Sequence, residues 1–197
     1  MRKLRAGVLI SGRGSNMMSL VEAARAPEYP AEIVCVVSNR PDAKGLDYAA
    51  AQGIATKVID HKVYASREAF DSALGRHLKS QNLDLVACAG FLRFMTPALV
   101  ADWQGRMLNI HPSLLPAYPG LHTHERALAD GAKMHGCTVH LVTNELDNGS
   151  IILQAEVPVL PGDTPDTLAT RVLKEEHRIY PEALAMVARE LQAKTST

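Results

Sequence analysis

Short apolar runs, separated by segments of helical composition, organise the first half of the chain. These runs are almost uniformly apolar, which is typical of strands covered by helices on both faces of a sheet. The runs occupy residues 8–10, 33–37, 55–59, 83–89 and 107–110, and the helical segments occupy 17–24, 43–52, 66–80 and 96–102. This alternation predicts an α/β fold with a Rossmann-like, doubly wound sheet of parallel strands.

The pattern changes in the second half of the chain. A short helix is predicted at 123–130, whereas the strands at 135–142 and 151–157 are joined only by the loop 143–150. Because no long helix separates these two strands, we expect them to pair antiparallel. The sheet is therefore predicted to be mostly parallel, with antiparallel strands toward the C-terminal end.

A long final helix is predicted over 165–191. Thr164 is a suitable cap for it, and Pro181 is expected to kink or divide it. No repeat, low-complexity linker or shift in composition marks a second unit, so residues 1–197 are predicted to form a single domain.

Composition narrows the classes of partner. The 21 basic and 21 acidic residues cancel, so neither a nucleic acid nor a membrane is expected to bind through a broad charged patch. The three cysteines lie singly in apolar runs and are predicted to be buried thiols: Cys35, Cys88 and Cys137. The first apolar run, 6–10, is too short for a signal peptide or a membrane span, so a cytoplasmic protein is expected. The oligomeric state stays open, and a homodimer is compatible with the sequence.

The stretch 109–120 follows the fifth predicted strand and contains the clearest candidate chemistry. In an extended strand, residues i and i+2 share a face, so Asn109 and His111 point the same way, about 6 to 7 Å apart along the backbone. Three prolines stiffen the segment that follows, at positions 112, 116 and 119. The sequence therefore predicts a rigid strand end with two polar side chains on one side.

A glycine-rich loop, 11–16, links the first strand to the first helix. Its free N–H groups and the helix N-terminus favour a small anion, such as a monophosphate, although a tight turn without a ligand is also compatible with the motif. The loop is a weaker match to a dinucleotide fingerprint because Met17 replaces the third glycine and no acidic residue ends the second strand.

Asp147, in the acidic loop 143–150, is a candidate partner for His111. Ligands of open parallel sheets bind at the carboxyl ends of the strands, where the glycine loop and His111 should both lie. A neighbouring carboxylate favours the cationic form of an imidazole, which makes it a better donor to an oxygen that gains negative charge. With Asn109 as a neutral donor, the site suits acyl transfer from a carbonyl to an amine without an enzyme nucleophile.

Five motifs together resemble the phosphoribosylglycinamide formyltransferases, folate-dependent enzymes of purine synthesis. They lie at 11–16, 89–95, 109–116, 118–124 and 145–149, and the resemblance runs from residue 5 to about residue 190. The motif at 109–116 is shared with other 10-formyltetrahydrofolate enzymes. Formyltetrahydrofolate hydrolases carry an extra N-terminal domain and methionyl-tRNA formyltransferases an extra C-terminal domain, and the sequence has neither, which favours the first family.

The resemblance implies substrates and a role for each matching residue. Glycinamide ribonucleotide and 10-formyltetrahydrofolate, the latter as co-substrate, would be the small-molecule partners. The implied catalytic residues are Asn109 and His111, which would stabilise an oxyanion, and Asp147, which would orient His111 and assist proton transfer through water. The implied substrate-binding residues are Gly14, Ser15, Asn16 and Glu176. The implied folate-binding residues are Arg67, Leu92, Arg93, Phe94, Met95, Val142, Thr143 and Asn144.

Two positions depart from the pattern of that family. Arg13 stands where small or amide residues are familiar, and Leu173 replaces a polar residue one helical turn before Glu176. Contacts with the substrate are therefore expected to differ in detail at these positions.

No metal is expected. His122 and His124 share a face in an extended segment, but Cys137 and His140 are three residues apart in a predicted strand and point to opposite faces. His61, His77 and His135 are predicted to be surface or turn residues.

Three other functions stay open from the sequence. The nearest are a formyltetrahydrofolate hydrolase and a formyltransferase that acts on another amine, such as a nucleotide sugar. Outside enzymes, the chain could be a phosphate-binding module that only keeps the fold.

Overall fold

A computed structural model describes residues 2–195 of the chain. In this range seven strands form one sheet in the order β3-β2-β1-β4-β5-β6-β7. The strands are β1 (Leu4–Ile10), β2 (Ala31–Ser38), β3 (Ala55–Val58), β4 (Leu85–Cys88), β5 (Met107–His111), β6 (Met134–Leu141) and β7 (Ile151–Pro158). The helices are α1 (Ser15–Ala24), α2 (Gly45–Ala51), α3 (Arg67–Ser80), α4 (Pro97–Asp102), α5 (Thr123–Ala129) and α6 (Pro165–Thr195), and a 3₁₀ turn spans His61–Val63.

Strand direction divides the sheet into two parts. Strands β1 to β5 run parallel to one another, and each connection between consecutive strands of this group contains a helix. Strand β6 runs antiparallel to β5, and β7 runs antiparallel to β6. The predicted fold class is confirmed, although the antiparallel part begins one pairing earlier than the sequence indicated.

The hydrophobic core lies in two layers, one on each face of the sheet. Successive residues of β1 alternate between them: Val8 and Ile10 pack with α1 and α6, whereas Leu9 packs with α3 and α4. Both layers exclude water, which explains why the central strands are largely apolar on both faces. The prediction of buried thiols is confirmed, because all three cysteines are free and buried.

Helix α6 is continuous through Pro181, so of the two predicted effects of this proline, a kink or a division, the division is wrong. Tyr180 is fully buried beneath the sheet, and its hydroxyl donates to the carbonyl oxygen of Cys88 at 2.8 Å. Tyr29 donates to the carbonyl oxygen of Pro181 at 2.7 Å. Packing of the apolar face on both sides of the proline therefore holds the helix together. The predicted cap is confirmed, because Thr164 Oγ1 accepts from the N–H of Thr167 at 3.2 Å.

No helix within residues 2–195 has the length and apolar character needed to cross a membrane.

Candidate active site

The carboxyl ends of β1, β4 and β5 bring three connecting segments to one edge of the sheet. The glycine loop follows β1, the segment 89–96 follows β4, and His111 is the last residue of β5. Cys88 is paired in register with Asn109, so β4 and β5 end side by side. The edge is the one at which ligands of open parallel sheets bind.

The glycine loop turns directly into α1. Gly14 is the N-cap residue and has a φ of 73°, in the left-handed region that favours glycine. A Cβ at this position would come within 2.9 Å of the Met17 side chain and 3.1 Å of the Gly45 backbone. Gly14 therefore permits both the turn and the close approach of α2 behind the loop.

Asn16 and Glu176 join the first helix to the last one. Asn16 Nδ2 donates to Glu176 Oε2 at 2.6 Å, and both side chains are buried. Burial raises the pKa of Glu176, whereas the Asn16 amide lowers it. Asn16 Oδ1 is buried without a hydrogen-bond partner in the described part of the chain, so this pair keeps an unused acceptor beside the glycine loop.

Acceptor oxygens lie beside both ring nitrogens of His111. Nε2 is 2.8 Å from the carbonyl oxygen of Tyr118, and Nδ1 is 3.3 Å from Oδ2 of Asp147. A carbonyl oxygen can only accept, so Nε2 carries a proton and donates it to Tyr118. Burial lowers the pKa of His111, whereas the Tyr118 carbonyl and Asp147 raise it, and the pKa stays below its ordinary value. The imidazolium form would satisfy both acceptors, so burial and hydrogen bonding oppose each other at this ring.

Asp147 lies between two imidazole rings. Its Oδ2 accepts from the Gly120 N–H at 2.9 Å and faces His111, while its Oδ1 is 3.6 Å from Nε2 of His140. Burial raises the pKa of Asp147, but His140, the Gly120 N–H and His111 lower it, and together they hold it below its usual value. The group is therefore a buried carboxylate that stays charged at neutral pH.

His140 is a residue of the site that sequence reasoning missed. Its Nδ1 donates to the Leu141 carbonyl oxygen at 2.9 Å, and its Nε2 is 3.3 Å from Nδ2 of Asn109. In the neutral ring Nε2 is an acceptor, so it takes one N–H of the Asn109 amide. Asn109 and His140 are direct partners in the β5–β6 ladder, so recognising that pairing would have placed His140 at the site.

A cavity of about 140 Å³ opens beside these polar groups. Asn109, His140 and Asp147 contribute to its wall, and six of the eight predicted folate-binding residues line it: Arg93, Phe94, Met95, Val142, Thr143 and Asn144. His111 is not among the lining residues and adjoins the cavity through Asp147. The structure thus brings the two predicted folate-binding segments together around the predicted catalytic side chains.

The other two predicted folate-binding residues lie outside this lining. The Arg67 guanidinium is 5.8 Å from the centre of the Phe94 ring, a distance typical of a cation–π contact. The Leu92 side chain is 69% exposed, and its N–H donates to Ser11 Oγ at 2.9 Å. Arg67 therefore contacts a residue that lines the cavity, and Leu92 precedes one in the chain.

The remaining histidines correct one prediction. The sequence predicts His135 to be a surface or turn residue, but it is 1% exposed and lies in β6, where the ring faces His124 and Tyr118. Its Nε2 is 3.1 Å from Nδ1 of His124. The prediction was wrong because histidine is a polar residue, whereas this position lies on a buried strand. Within residues 2–195, no three histidine, cysteine, aspartate or glutamate side chains are arranged to hold a metal ion.

The two atypical positions lie near the glycine loop and Glu176. Arg13 is exposed in the glycine loop, and Leu173 is half-buried on α6, one turn before Glu176. A cation at the loop is the clearer difference, because it would add charge next to the N-terminus of α1.

A family model described as formyl transferase matches residues 4–184, which sets the class of protein. The phosphoribosylglycinamide formyltransferase of Escherichia coli K12 is 47% identical over 181 residues, which cover 92% of this chain and 85% of that protein. The crystal structure of the phosphoribosylglycinamide formyltransferase from Brucella melitensis is 53% identical and superposes with a TM-score of 0.91, covering 95% of this chain and 96% of that one. The chain belongs to the phosphoribosylglycinamide formyltransferase family.

A longer relative contains the same unit. The trifunctional purine biosynthetic protein adenosine-3 of Drosophila melanogaster is 50% identical over 94% of this chain, but the match covers only 14% of that protein. The chain therefore spans about one seventh of the length of this relative.

Proposed function

We propose that this chain transfers the formyl group of 10-formyltetrahydrofolate to the amine of glycinamide ribonucleotide, a step of purine biosynthesis. The observation that carries the proposal is the cavity of about 140 Å³ where Asn109 and Asp147 meet the segments at 93–95 and 142–144. Membership of the family supports a formyl group as the group that is transferred. The site supplies hydrogen-bond donors and a buried carboxylate for the reaction.

In the proposed reaction the substrate amine attacks the formyl carbon, and a tetrahedral oxyanion forms. Asn109 has a second N–H that is not used by His140, and His111 has a proton at Nδ1 when the ring is charged. Donors fixed before the reaction stabilise such an oxyanion because they need no reorganisation when charge develops. Since Nε2 of His111 is engaged by Tyr118, the Nδ1 proton, which faces Asp147, would be shared between that carboxylate and the reacting oxygen.

Proton transfer completes the step. The new bond joins the amine nitrogen to the formyl carbon, and the bond from that carbon to N10 of the folate breaks. The amine must lose one proton and N10 must gain one. Asp147, charged and beside His111, is the proposed acceptor, acting through water, and N10 is the final recipient.

The substrate and folate contacts are proposed in the same way. The glycine loop, through Gly14, Ser15 and Asn16, would hold the ribonucleotide phosphate, because N–H groups at the start of a helix favour anions. The buried Glu176 would accept from ribose hydroxyl groups. Arg67 and Leu92 would extend the folate site outward from the cavity.

The deciding experiment measures formyl transfer with the amine acceptor varied. Purified protein and 10-formyltetrahydrofolate are mixed with glycinamide ribonucleotide, with a nucleotide amino sugar, or with neither, and tetrahydrofolate release is followed. We expect release that depends on glycinamide ribonucleotide. Equal release to water would instead indicate a hydrolase, and release only with the amino sugar would indicate a different acceptor.

A further inference from the structure

The folate-binding segment that follows β4 has little regular structure of its own. Residues 91–96 lie between β4 and α4 without helix or strand geometry, and two of their side chains project into solvent: Leu92 is 69% exposed and Phe94 is 59% exposed. Contacts with the rest of the protein must therefore hold the segment in place. Side chains from the glycine loop and α3 supply these contacts.

Side-chain oxygens anchor both ends of the segment. At the start, the Leu92 N–H donates to Ser11 Oγ at 2.9 Å. At the end, the Thr96 N–H donates to Asp71 Oδ2 at 2.5 Å. Hydrogen bonds to a carboxylate are shorter and stronger than those between neutral groups, so the Asp71 contact is the firmer of these two anchors.

Three residues of α3 face the segment from the same side of the helix. Arg67, Phe70 and Asp71 are spaced three and four residues apart, so their side chains lie on one face. The Arg67 guanidinium is 5.8 Å from the Phe94 ring centre, and the Arg93 guanidinium is 5.3 Å from the Phe70 ring centre. Asp71 adds the backbone anchor to these two side-chain contacts.

Asp71 is an unusual side chain for this place. It is 2% exposed, its neighbours on α3 at Phe70 and Leu74 belong to the hydrophobic core, and its Oδ1 has no hydrogen-bond partner in the described residues. Burial of a carboxylate with one partner is costly compared with an apolar residue at the same place. The hydrogen bond that Oδ2 accepts comes from the Thr96 N–H, at the end of the segment.

We propose that Asp71 is a positioning residue for the folate co-substrate: it fixes the end of the segment 91–96, so that the side chains of Arg93, Phe94 and Met95 line the folate cavity. The inference rests on the proposed function, because it takes these residues as folate contacts. Asp71 does not line that cavity, and it acts through the segment alone. Asp71 and Thr96 contribute instead to the wall of a separate cavity of about 540 Å³ between α3 and α4.

The test compares binding of the two substrates in variants of both partners. A stable 5,8-dideaza analogue of 10-formylfolate and glycinamide ribonucleotide are titrated separately by calorimetry. We expect Asp71→Ala to raise the Kd of the folate analogue about tenfold, the effect of one charge-assisted hydrogen bond, with the Kd of glycinamide ribonucleotide unchanged. Asp71→Asn keeps an acceptor oxygen and should restore most of the affinity.

Thr96 offers a matched pair of variants that leave Asp71 in place. Thr96→Pro removes the N–H, and the φ of −69° at this residue suits proline. Thr96→Ala loses the side-chain cap of α4 but keeps the N–H. We expect Thr96→Pro to weaken folate binding as Asp71→Ala does, Thr96→Ala to bind nearly as the parent, and the double variant Asp71→Ala/Thr96→Pro to be no weaker than either single one.

Each result separates the inference from the proposed function. Failure of the parent protein to bind the folate analogue would overturn the proposed function. Normal binding by the parent together with unchanged binding by Thr96→Pro, or equal loss of both substrates in folded Asp71→Ala, would overturn the role of Asp71. Ser72→Ala is the control on α3, since its hydroxyl contacts only the exposed Arg76 side chain among the described contacts.

Discussion

Nδ1 of His111 lies 3.3 Å from Oδ2 of Asp147, and both side chains are almost wholly buried. Nε2 of the same ring donates to the Tyr118 carbonyl oxygen, so Nδ1, the nitrogen beside the carboxylate, is the one available for proton transfer. This pair gives the site a donor and a proton acceptor side by side. It also makes the protonation of His111 depend on Asp147.

Replacement of His111 should remove transfer without unfolding the chain. We expect His111→Ala to lower kcat by about 10²- to 10⁴-fold, the usual contribution of a positioned acid or base. The measurement is tetrahydrofolate release at saturating substrates, with circular dichroism to verify the fold. His77→Gln, on α3, is the matched control and should retain activity. An unchanged kcat in His111→Ala would remove the catalytic role.

Asp147→Asn tests the acceptor. The amide cannot take the proton of the amine, so kcat should fall about 10²-fold or more. Asp147 raises the pKa of His111, so its loss should lower that pKa further, and an NMR titration of the His111 ring should move to lower pH. A variant with normal kcat and only a raised KM for folate would show that the acidic loop binds the co-substrate and takes no part in proton transfer.

The ring of Tyr118 is held on two sides, and this contact should affect His111. Tyr118 has a φ of 53°, and its ring lies 5.4 Å from the Arg126 guanidinium and 6.0 Å from the His135 ring. Arg126 also donates to the Pro119 carbonyl oxygen at 2.6 Å. Together these contacts maintain a backbone conformation that a tyrosine rarely adopts.

Arg126→Ala should loosen that backbone. We expect kcat to fall severalfold with both KM values nearly unchanged, and the ¹⁵N shifts of His111 to show a weaker bond at Nε2. Arg126→Lys keeps the positive charge over the Tyr118 ring, so its kcat should lie between those of the parent and Arg126→Ala. Unchanged His111 shifts in Arg126→Ala would contradict the proposed link between the ring contacts and the Tyr118 carbonyl.

Sequence patterns predict the fold more completely than they predict the hydrogen-bond partners within the site. Apolar strands such as 83–89 indicate a buried parallel sheet because the two faces need the same residue types. Asn109 and His111 were accessible because strand periodicity places them on one face. His140 was not, since its role depends on the pairing of β5 with β6 across a gap of about 30 residues. The contact between His111 and the Tyr118 carbonyl oxygen could not be predicted either, because every residue has a backbone carbonyl and the sequence does not mark this one.

Gly149 sets the position of the acidic loop. A Cβ at this residue would overlap the Leu141 carbonyl oxygen, so even alanine must displace the loop from β6. We therefore expect Gly149→Ala to lower both the Tm and kcat, because Asp147 lies two residues away. Ser150→Ala, at an exposed neighbouring position, should change neither. A Gly149→Ala protein with normal kcat would show that Asp147 does not depend on this close approach.

His135 should make stability depend on pH. Burial, together with the charges of His124 and His111, lowers its pKa from 6.5 to about 4. Between these two values the unfolded chain binds the proton and the folded chain does not, so the free energy of unfolding should rise with pH and level off above 6.5. This pKa shift corresponds to an increase in the free energy of unfolding on the order of 3 kcal/mol between about pH 4 and 6.5. In His135→Phe, urea unfolding from pH 4 to 7 should show a smaller rise than in the parent, whereas His122→Gln, at an exposed position, should keep the parent's rise. An equal rise in His135→Phe would assign the pH dependence to other groups.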